Sequence, residues 1–551
     1  MIAARARATL VARSVAGLLG LALILVGVSG LQDGVSASAD TPDAPISGGG
    51  STWAENAVDQ WTSNVKSNYQ WSVSYSGTGS TQGRSQFCQG TYDYGVSDIP
   101  FGIANSNEAD SCPGRGYVYM PIVAGGTSIM YNLDIAGKQV TNLRLSGETF
   151  AKIFTGVITK WNDPAILADN PQLALPAIPI IPVVRSDGSG ATAQVTIWMR
   201  QMYPAIWDAY CAKVGRPTIN GHCGVTSLYP VLPGSAMIAK AGDNGTASYT
   251  AQPQNVGTIT YVEYSYALNL RFPVAKLLNA AGYYTEPTAG HVAVSLLKAQ
   301  LNNDPSSPNY LTEDLSDVYT STDPRTYELS SYSYLILPTT SQYNFAAGRG
   351  KTLADFGAYL LCEGQQQVDQ LGYSALPINL VEDGQAQIQK IPGGDPSIKT
   401  IQQCDNPTFS ADGTNKLAET DPEPAACDKQ GPTQCSSGTG GSTTSTAPTR
   451  NQSASSSSSS SSGSSGTSDG SSTGTGGIYV AGADGVSQGG APVLANATPQ
   501  NIPDQSTSSI GLTWFVVIFA GLVLLALTLV PTIRRRRAKS KLPPWLQGPG
   551  Q

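Results

Sequence analysis

The chain has 551 residues, 40% of them hydrophobic and only 13% charged, with a formal net charge of −7. That length accommodates two or three domains with a sizeable core, and the acidic balance argues against nucleic-acid binding. Two histidines, His222 and His291, leave little material for poly-His metal sites or for a Ser-His-Asp or Cys-His relay, so neither an enzyme nor a metal or cofactor protein is expected.

At the amino end, Arg5, Arg7 and Arg13 precede an uncharged run from Ser14 to Gln32, and Ala37-Ser38-Ala39 follows. A basic start, an apolar stretch and an A-x-A site read as a secretory signal peptide over residues 1–39. The alternative, an uncleaved anchor, suffers from the shortness of the most apolar part, Val15 to Val28. At the carboxyl end, Ile510 to Val530 carries no charge and is followed by Arg534-Arg535-Arg536-Arg537, Lys539 and Lys541. The expectation is one transmembrane helix over 510–530 with a basic cytoplasmic tail over 531–551 and everything before it outside the membrane.

All eight cysteines then lie in an oxidising compartment, which favours disulfides over metal binding, and no C-x-x-C spacing occurs. Of the many connectivities open to eight cysteines, four local pairs are taken as the working expectation: Cys88–Cys112, Cys211–Cys223, Cys362–Cys404 and Cys427–Cys435. From Ser436 the composition turns to Ser, Gly and Thr, including an unbroken serine run from Ser455 to Ser462. Such a segment cannot bury enough surface to offset ordering, so 436–509 is expected to be a disordered linker with a reach of about 50 Å. O-glycosylation would suit it.

The folded part is thus 45–435. Trp71–Tyr75, Tyr117–Ile122, Ile178–Val184, Gly257–Tyr264 and Tyr332–Leu337 read as strands. Helices are predicted over Trp53–Tyr69, 147–155, 190–203, 290–302 and 352–371, the first with Ala54, Ala57, Val58, Trp61 and Val65 on one face. Alternating strands and helices argue for an α/β fold.

Three segments share one chemical design. Gly48-Gly49-Gly50-Ser51-Thr52 runs into the first helix, Gly77-Thr78-Gly79-Ser80-Thr81 follows a strand, and Asp187-Gly188-Ser189-Gly190-Ala191 opens the 190–203 helix. Each joins glycines, a hydroxyl and a helix N-terminus, whose N–H groups and partial positive charge suit an oxyanion. Alone, each is also ordinary helix capping. Arg185 precedes the third segment and could offer a bidentate guanidinium, and Asp98 ends a predicted strand in Tyr94-Gly-Val-Ser-Asp-Ile-Pro100.

In this order, these segments resemble the phosphate-binding proteins of ABC phosphate importers, the PstS type. The resemblance runs through Ile46–Trp53, Tyr75–Gly83, Tyr94–Pro100, Leu145–Phe150 with Ile158–Asp163, Val184–Gly190, Gly257–Tyr264 and Leu371–Pro377, across about 45–380. It implies a two-lobed type II periplasmic-binding-protein fold with an interlobe cleft: lobe 1 about 45–120 and 265–400, lobe 2 about 121–264, and a cysteine-containing extension about 378–435. It also implies a phosphate set of Thr52, Trp53, Ser80, Asp98, Arg185, Ser189, Gly190 and Ala191, with Asp98 accepting a proton that phosphate has and sulfate lacks. Trp53 stands where the family usually has Phe, and Ala191 where Thr often lies. The implied function is a monomeric, extracytoplasmic solute-binding protein that captures inorganic phosphate, with ABC permease subunits as partners; the membrane tether expected at 510–530 departs from the family. The alternative is a surface adhesion or phosphate-sensing protein that uses the fold without transport.

Overall fold

The computed structural model describes residues 43–442, apart from 109, 395–403, 405 and 411–412. The expected signal peptide, the apolar run 510–530, the basic tail and the linker beyond Ser442 lie outside the described residues. Among the described residues, no helix is long and apolar enough to cross a membrane.

In chain order the elements that matter here are β1 (Ile46–Gly50), α1 (Glu55–Tyr69), β2 (Val73–Gly77), α2 (Ser80–Cys88), β3 (Tyr94–Ser97) and β4 (Tyr117–Tyr131). They continue with α3 (Gly147–Phe154), β5 (Ile181–Arg185), α4 (Gly190–Met202), β6 (Ile238–Lys240), α5 (Gly242–Thr250), β7 (Thr258–Glu263) and α6 (Tyr264–Leu270). Last come β8 (Val274–Leu278), β9 (Ser330–Pro338), α7 (Ala347–Leu361) and α8 (Ile378–Ile388).

The strands follow the order β6-β5-β7-β4-β9-β3-β1-β2. β1 pairs in parallel with β2 and β3, and β5 in parallel with β6 and β7, as expected when a helix returns the chain between strands. The long β4 joins the two groups. From Tyr117 to Gly126 it runs antiparallel to β9, and from Thr127 to Tyr131 it runs antiparallel to β7. β8 pairs with Met130 and Ile129 of β4 and with Arg144–Leu145, so it belongs with the second group. The two halves of the α/β fold therefore share one continuous strand that changes partners after Gly126.

β4 runs past Ile122, where the sequence suggested an end. Gly125 and Gly126 look like a break, yet they serve close packing: a Cβ on Gly125 would lie 2.6 Å from the Trp53 ring, and one on Gly126 would meet Pro287. Likewise Gly48-Gly49-Gly50 is not a loop but the end of β1, flanked on both sides by parallel strands. The predicted helix over 290–302 stops at Leu296, because its apolar face is exhausted there: Leu297 is 58% exposed, and Gln300–Leu301 instead pairs with Glu313–Asp314. The predicted 352–371 helix breaks at Cys362, which is tied to Cys404. α1 buries Ala57, Val58, Trp61 and Val65, and Ala54 just ahead of it is equally buried.

All four expected disulfides form: Cys88–Cys112, Cys211–Cys223, Cys362–Cys404 and Cys427–Cys435. The C-terminal extension is a strap. Thr408 Oγ1 donates to Leu376 O at 2.6 Å, beside the Cys362–Cys404 bond. Arg325 holds the carbonyls of Ala418 and Asp421. Further on, Arg144 donates to Cys427 O and Thr433 O, and Lys276 pairs with Asp428 at 2.7 Å. The first residues of the expected linker are part of this strap: Thr439 is buried, and Gly441 N–H donates to Phe272 O at 3.0 Å. Composition misplaces the linker's start because backbone groups and the Thr439 hydroxyl, not apolar side chains, hold this stretch.

Candidate functional site

Helix N-termini converge where the two halves meet. β1 delivers Ser51, Thr52 and Trp53 to the start of α1, β2 delivers Ser80 to the start of α2, and β5 delivers Arg185 and Ser189 to the start of α4. In this topology loops at the carboxyl ends of parallel strands face one crevice. Ser51, Thr52, Trp53, Ser80, Asp98, Arg185, Ser189 and Ala191 are all buried.

One group forms around Asp98. Its carboxylate accepts hydroxyl protons from Ser51 at 2.7 Å, Ser333 at 2.8 Å and Ser80 at 3.0 Å. Burial pushes the Asp98 carboxyl up, those hydroxyls pull it back down, and Asp243 adds a further upward push. Gly190 closes over this group from the other half: a Cβ there would lie 2.5 Å from Asp98 Oδ2 and 2.7 Å from Ser80 Oγ. Ser189 caps α4 by accepting Thr192 N–H, so Gly190 and Ala191 hold first-turn N–H groups that no carbonyl of the helix can reach. Thr192 does not stand in for the hydroxyl missing at Ala191, since its Oγ1 is 2.8 Å from Tyr261 OH.

The other group forms around Arg185. Asp187 grips the guanidinium through Nε at 2.8 Å and through Nη2, while Asp243 takes Nη1 and Thr52 Oγ1 takes Nη2 at 2.7 Å. Burial opposes the charge on Arg185, but Asp243 and Asp187 more than offset it and hold the guanidinium charged. Among the described residues these contacts use four of its five N–H groups.

The two groups are locked together. Thr81 N–H donates to Gly188 O at 3.0 Å, and Thr81 Oγ1 to Ser227 Oγ at 2.9 Å. Three phenols peg successive carbonyls of the first loop: Tyr75 on Ser51 O at 2.6 Å, Tyr266 on Thr52 O at 2.6 Å and Tyr373 on Trp53 O at 2.7 Å. With the carbonyls fixed, the orientation of the neighbouring peptide N–H groups is fixed too. The Trp53 indole turns away, donating to Thr127 Oγ1 at 3.1 Å and packing edge-on to Tyr373. A Phe-to-Trp difference at this position therefore falls outside the polar cluster.

The loops singled out in the sequence lie together in the structure, but the sequence did not point to Asp243, Ser333 or the structural roles of Ser51 and Asp187. Asp187 and Ser51 sit inside the quoted motifs and were legible. Asp243 and Ser333 lie on an unremarkable helix start and mid-strand, and only folding brings them within reach.

The fold and this cluster define a two-lobed binding protein, and the sequence profile of the PBP superfamily domain matches residues 35–363. Within it, the chain is 32% identical to the phosphate-binding protein PstS of Xylella fastidiosa (strain Temecula1), over 63% of this chain and 85% of that protein. It is 31% identical to phosphate-binding protein PstS 2 of Mycobacterium tuberculosis, over 60% of this chain and 82% of that one. The chain belongs to the PstS-like family of phosphate-binding proteins. A solved phosphate-binding protein from Stenotrophomonas maltophilia overlaps with a TM-score of 0.48 at 17% identity, over 66% of this chain and 98% of its own, a likeness too loose to carry further argument.

Proposed function

We propose that this protein captures inorganic phosphate between its two lobes, tethered to the membrane by residues 510–530, and passes it to an ABC permease as a non-enzymatic, monomeric binding protein. The observation that carries this reading is the convergence of Asp98, Arg185 and the N-termini of α1, α2 and α4 at one buried point. The cluster has the parts an oxyanion needs: first-turn N–H donors, one cation, and an acceptor-only carboxylate that favours an anion still carrying a proton. The partner change in β4 after Gly126 offers a hinge about which the lobes would open and close.

Calorimetric titration of the phosphate-stripped full chain with phosphate and, separately, sulfate tests this. Tight phosphate binding with little response to sulfate is expected. A folded protein that gives neither heat nor thermal stabilisation with either anion would overturn the proposal.

A further inference from the structure

Glu108 stands on the loop between β3 and β4, and that loop is braced on the first half of the fold. The Cys88–Cys112 bond ties it to α2, and the buried Arg84 of α2 pairs with Asp110 at 2.7 Å. Near the start of the loop, Phe101 N–H donates to Tyr119 OH of β4 at 2.8 Å. The Glu108 carboxylate, however, is held by the other half. Its Oε1 accepts from Thr226 Oγ1 at 2.6 Å and from Ser227 N–H at 2.7 Å, and its Oε2 accepts from Ser227 Oγ at 2.6 Å. Thr226 and Ser227 lie between α4 and β6, as does Arg216. Burial pushes the Arg216 guanidinium down, and Glu108 is the charge that opposes this. Alongside, Val225 N–H donates to Asn105 O at 2.9 Å, so the loop docks on the second half by backbone as well.

Ser227 is also where two of the anion loops meet. Its carbonyl accepts Ser189 N–H at 2.9 Å. Its Oγ, having given its one proton to Glu108, accepts from Thr81 Oγ1 at 2.9 Å. A directed chain thus runs from Thr81 in the first turn of α2 to Ser227 and on to Glu108. It begins and ends on the first half and crosses the second. Neither Thr81, Ser227 nor Glu108 belongs to the proposed anion set, so the chain draws the halves together without touching the anion. Opening about β4 would break all three bonds to Glu108 at once. A site assembled from both halves binds more weakly by the fraction of molecules that are not closed.

Resting on the phosphate site proposed above, we propose that Glu108 is a positioning residue for phosphate capture. It latches the loop between β3 and β4 onto Thr226 and Ser227, and so sets how long bound phosphate is held.

The test uses the full chain with inorganic phosphate as the probe: calorimetry for affinity, radiolabelled phosphate for release, and melting with and without phosphate. Glu108→Gln and Ser227→Ala should each weaken phosphate binding about tenfold or more. The loss should lie in faster release with association little changed, because the latch forms only as the halves close on the anion. Melting without phosphate should match the wild type. Unchanged affinity and release in Glu108→Gln would overturn the latch, as would a loss carried by slower association. So would a loss of affinity matched by an equal loss of melting temperature without phosphate, the mark of a merely structural contact. In the wild type, the amides of Val225 and Ser227, both donated across the halves, should gain protection from hydrogen exchange when phosphate is added. No gain there would overturn the latch even if a variant fails to fold. No phosphate binding by the wild type would overturn the proposed function, and this inference with it.

Discussion

Asp98 is 1% exposed and accepts from three hydroxyls, which leaves its carboxylate the part of an acceptor in any anion site. Asp98→Asn would put an amide there that both accepts and donates. Sulfate affinity should rise, and the preference for phosphate should fall by a factor on the order of 10² or more, measured by competing titrations. Arg185→Ala removes the cation of the cluster and leaves Asp243 buried, and Asp187 half-buried, without it, a loss of about 3–5 kcal/mol for a broken buried pair. Urea unfolding should show that loss alongside weakened phosphate binding. Glu328 and Glu55 set a pH dependence of stability. Burial pushes Glu328 up to about 8 against the Trp198 hydrogen bond, and burial with Asp59 and Asp243 pushes Glu55 up to about 7. Between the ordinary carboxylate value and these raised values, the unfolded chain gives up protons that the folded chain keeps. Their contribution is complete below about pH 4.5 and is lost as the pH rises toward about 8. The melting temperature without phosphate should therefore decline across that interval unless other groups offset it, and Glu328→Gln should flatten the decline.

Among the elements, the start of α4 packs closely against the other half. Gly190→Ala would put a methyl group 2.5 Å from Asp98 Oδ2 and 2.7 Å from Ser80 Oγ. The methyl would hold the two halves apart, so phosphate affinity should drop by about two orders of magnitude, a deficit of roughly 2.7 kcal/mol in binding. Gly245→Ala is the matched control. It lies within α5, and the nearest atom to its added Cβ is 3.7 Å away. It should leave binding unchanged and raise stability by up to about 1 kcal/mol, through the lower entropy cost of alanine in a helix. The pair separates crowding at the site from helix propensity.

For the molecule as a whole, the strap after α8 is held near Leu376 at one end and near Arg144, Lys276 and Phe272 at the other. The Cys362–Cys404 bond spans a sequence separation of 42 and secures the first end. Replacing both cysteines with alanine should cost about 2–4 kcal/mol, read as a lower urea midpoint. The Cys427–Cys435 bond spans only 8 residues, so the same change there should cost less.

The sequence by itself determined the α/β alternation and the three glycine-hydroxyl segments with Arg185 and Asp98, because each is written in short-range spacing, and it made local disulfide pairs the working expectation. Capping, periodicity and cysteine proximity act over a few to a few dozen residues, so they survive in a linear reading. Tertiary structure alone decided that Gly125 and Gly126 continue a strand, since the reason is the Trp53 ring and Pro287 from distant segments. It alone brought Asp243 to Thr52 and Ser333 to Asp98, across 191 and 235 residues. Those contacts depend on how two half-sheets are joined through β4, and no local pattern encodes the distance between residues so far apart.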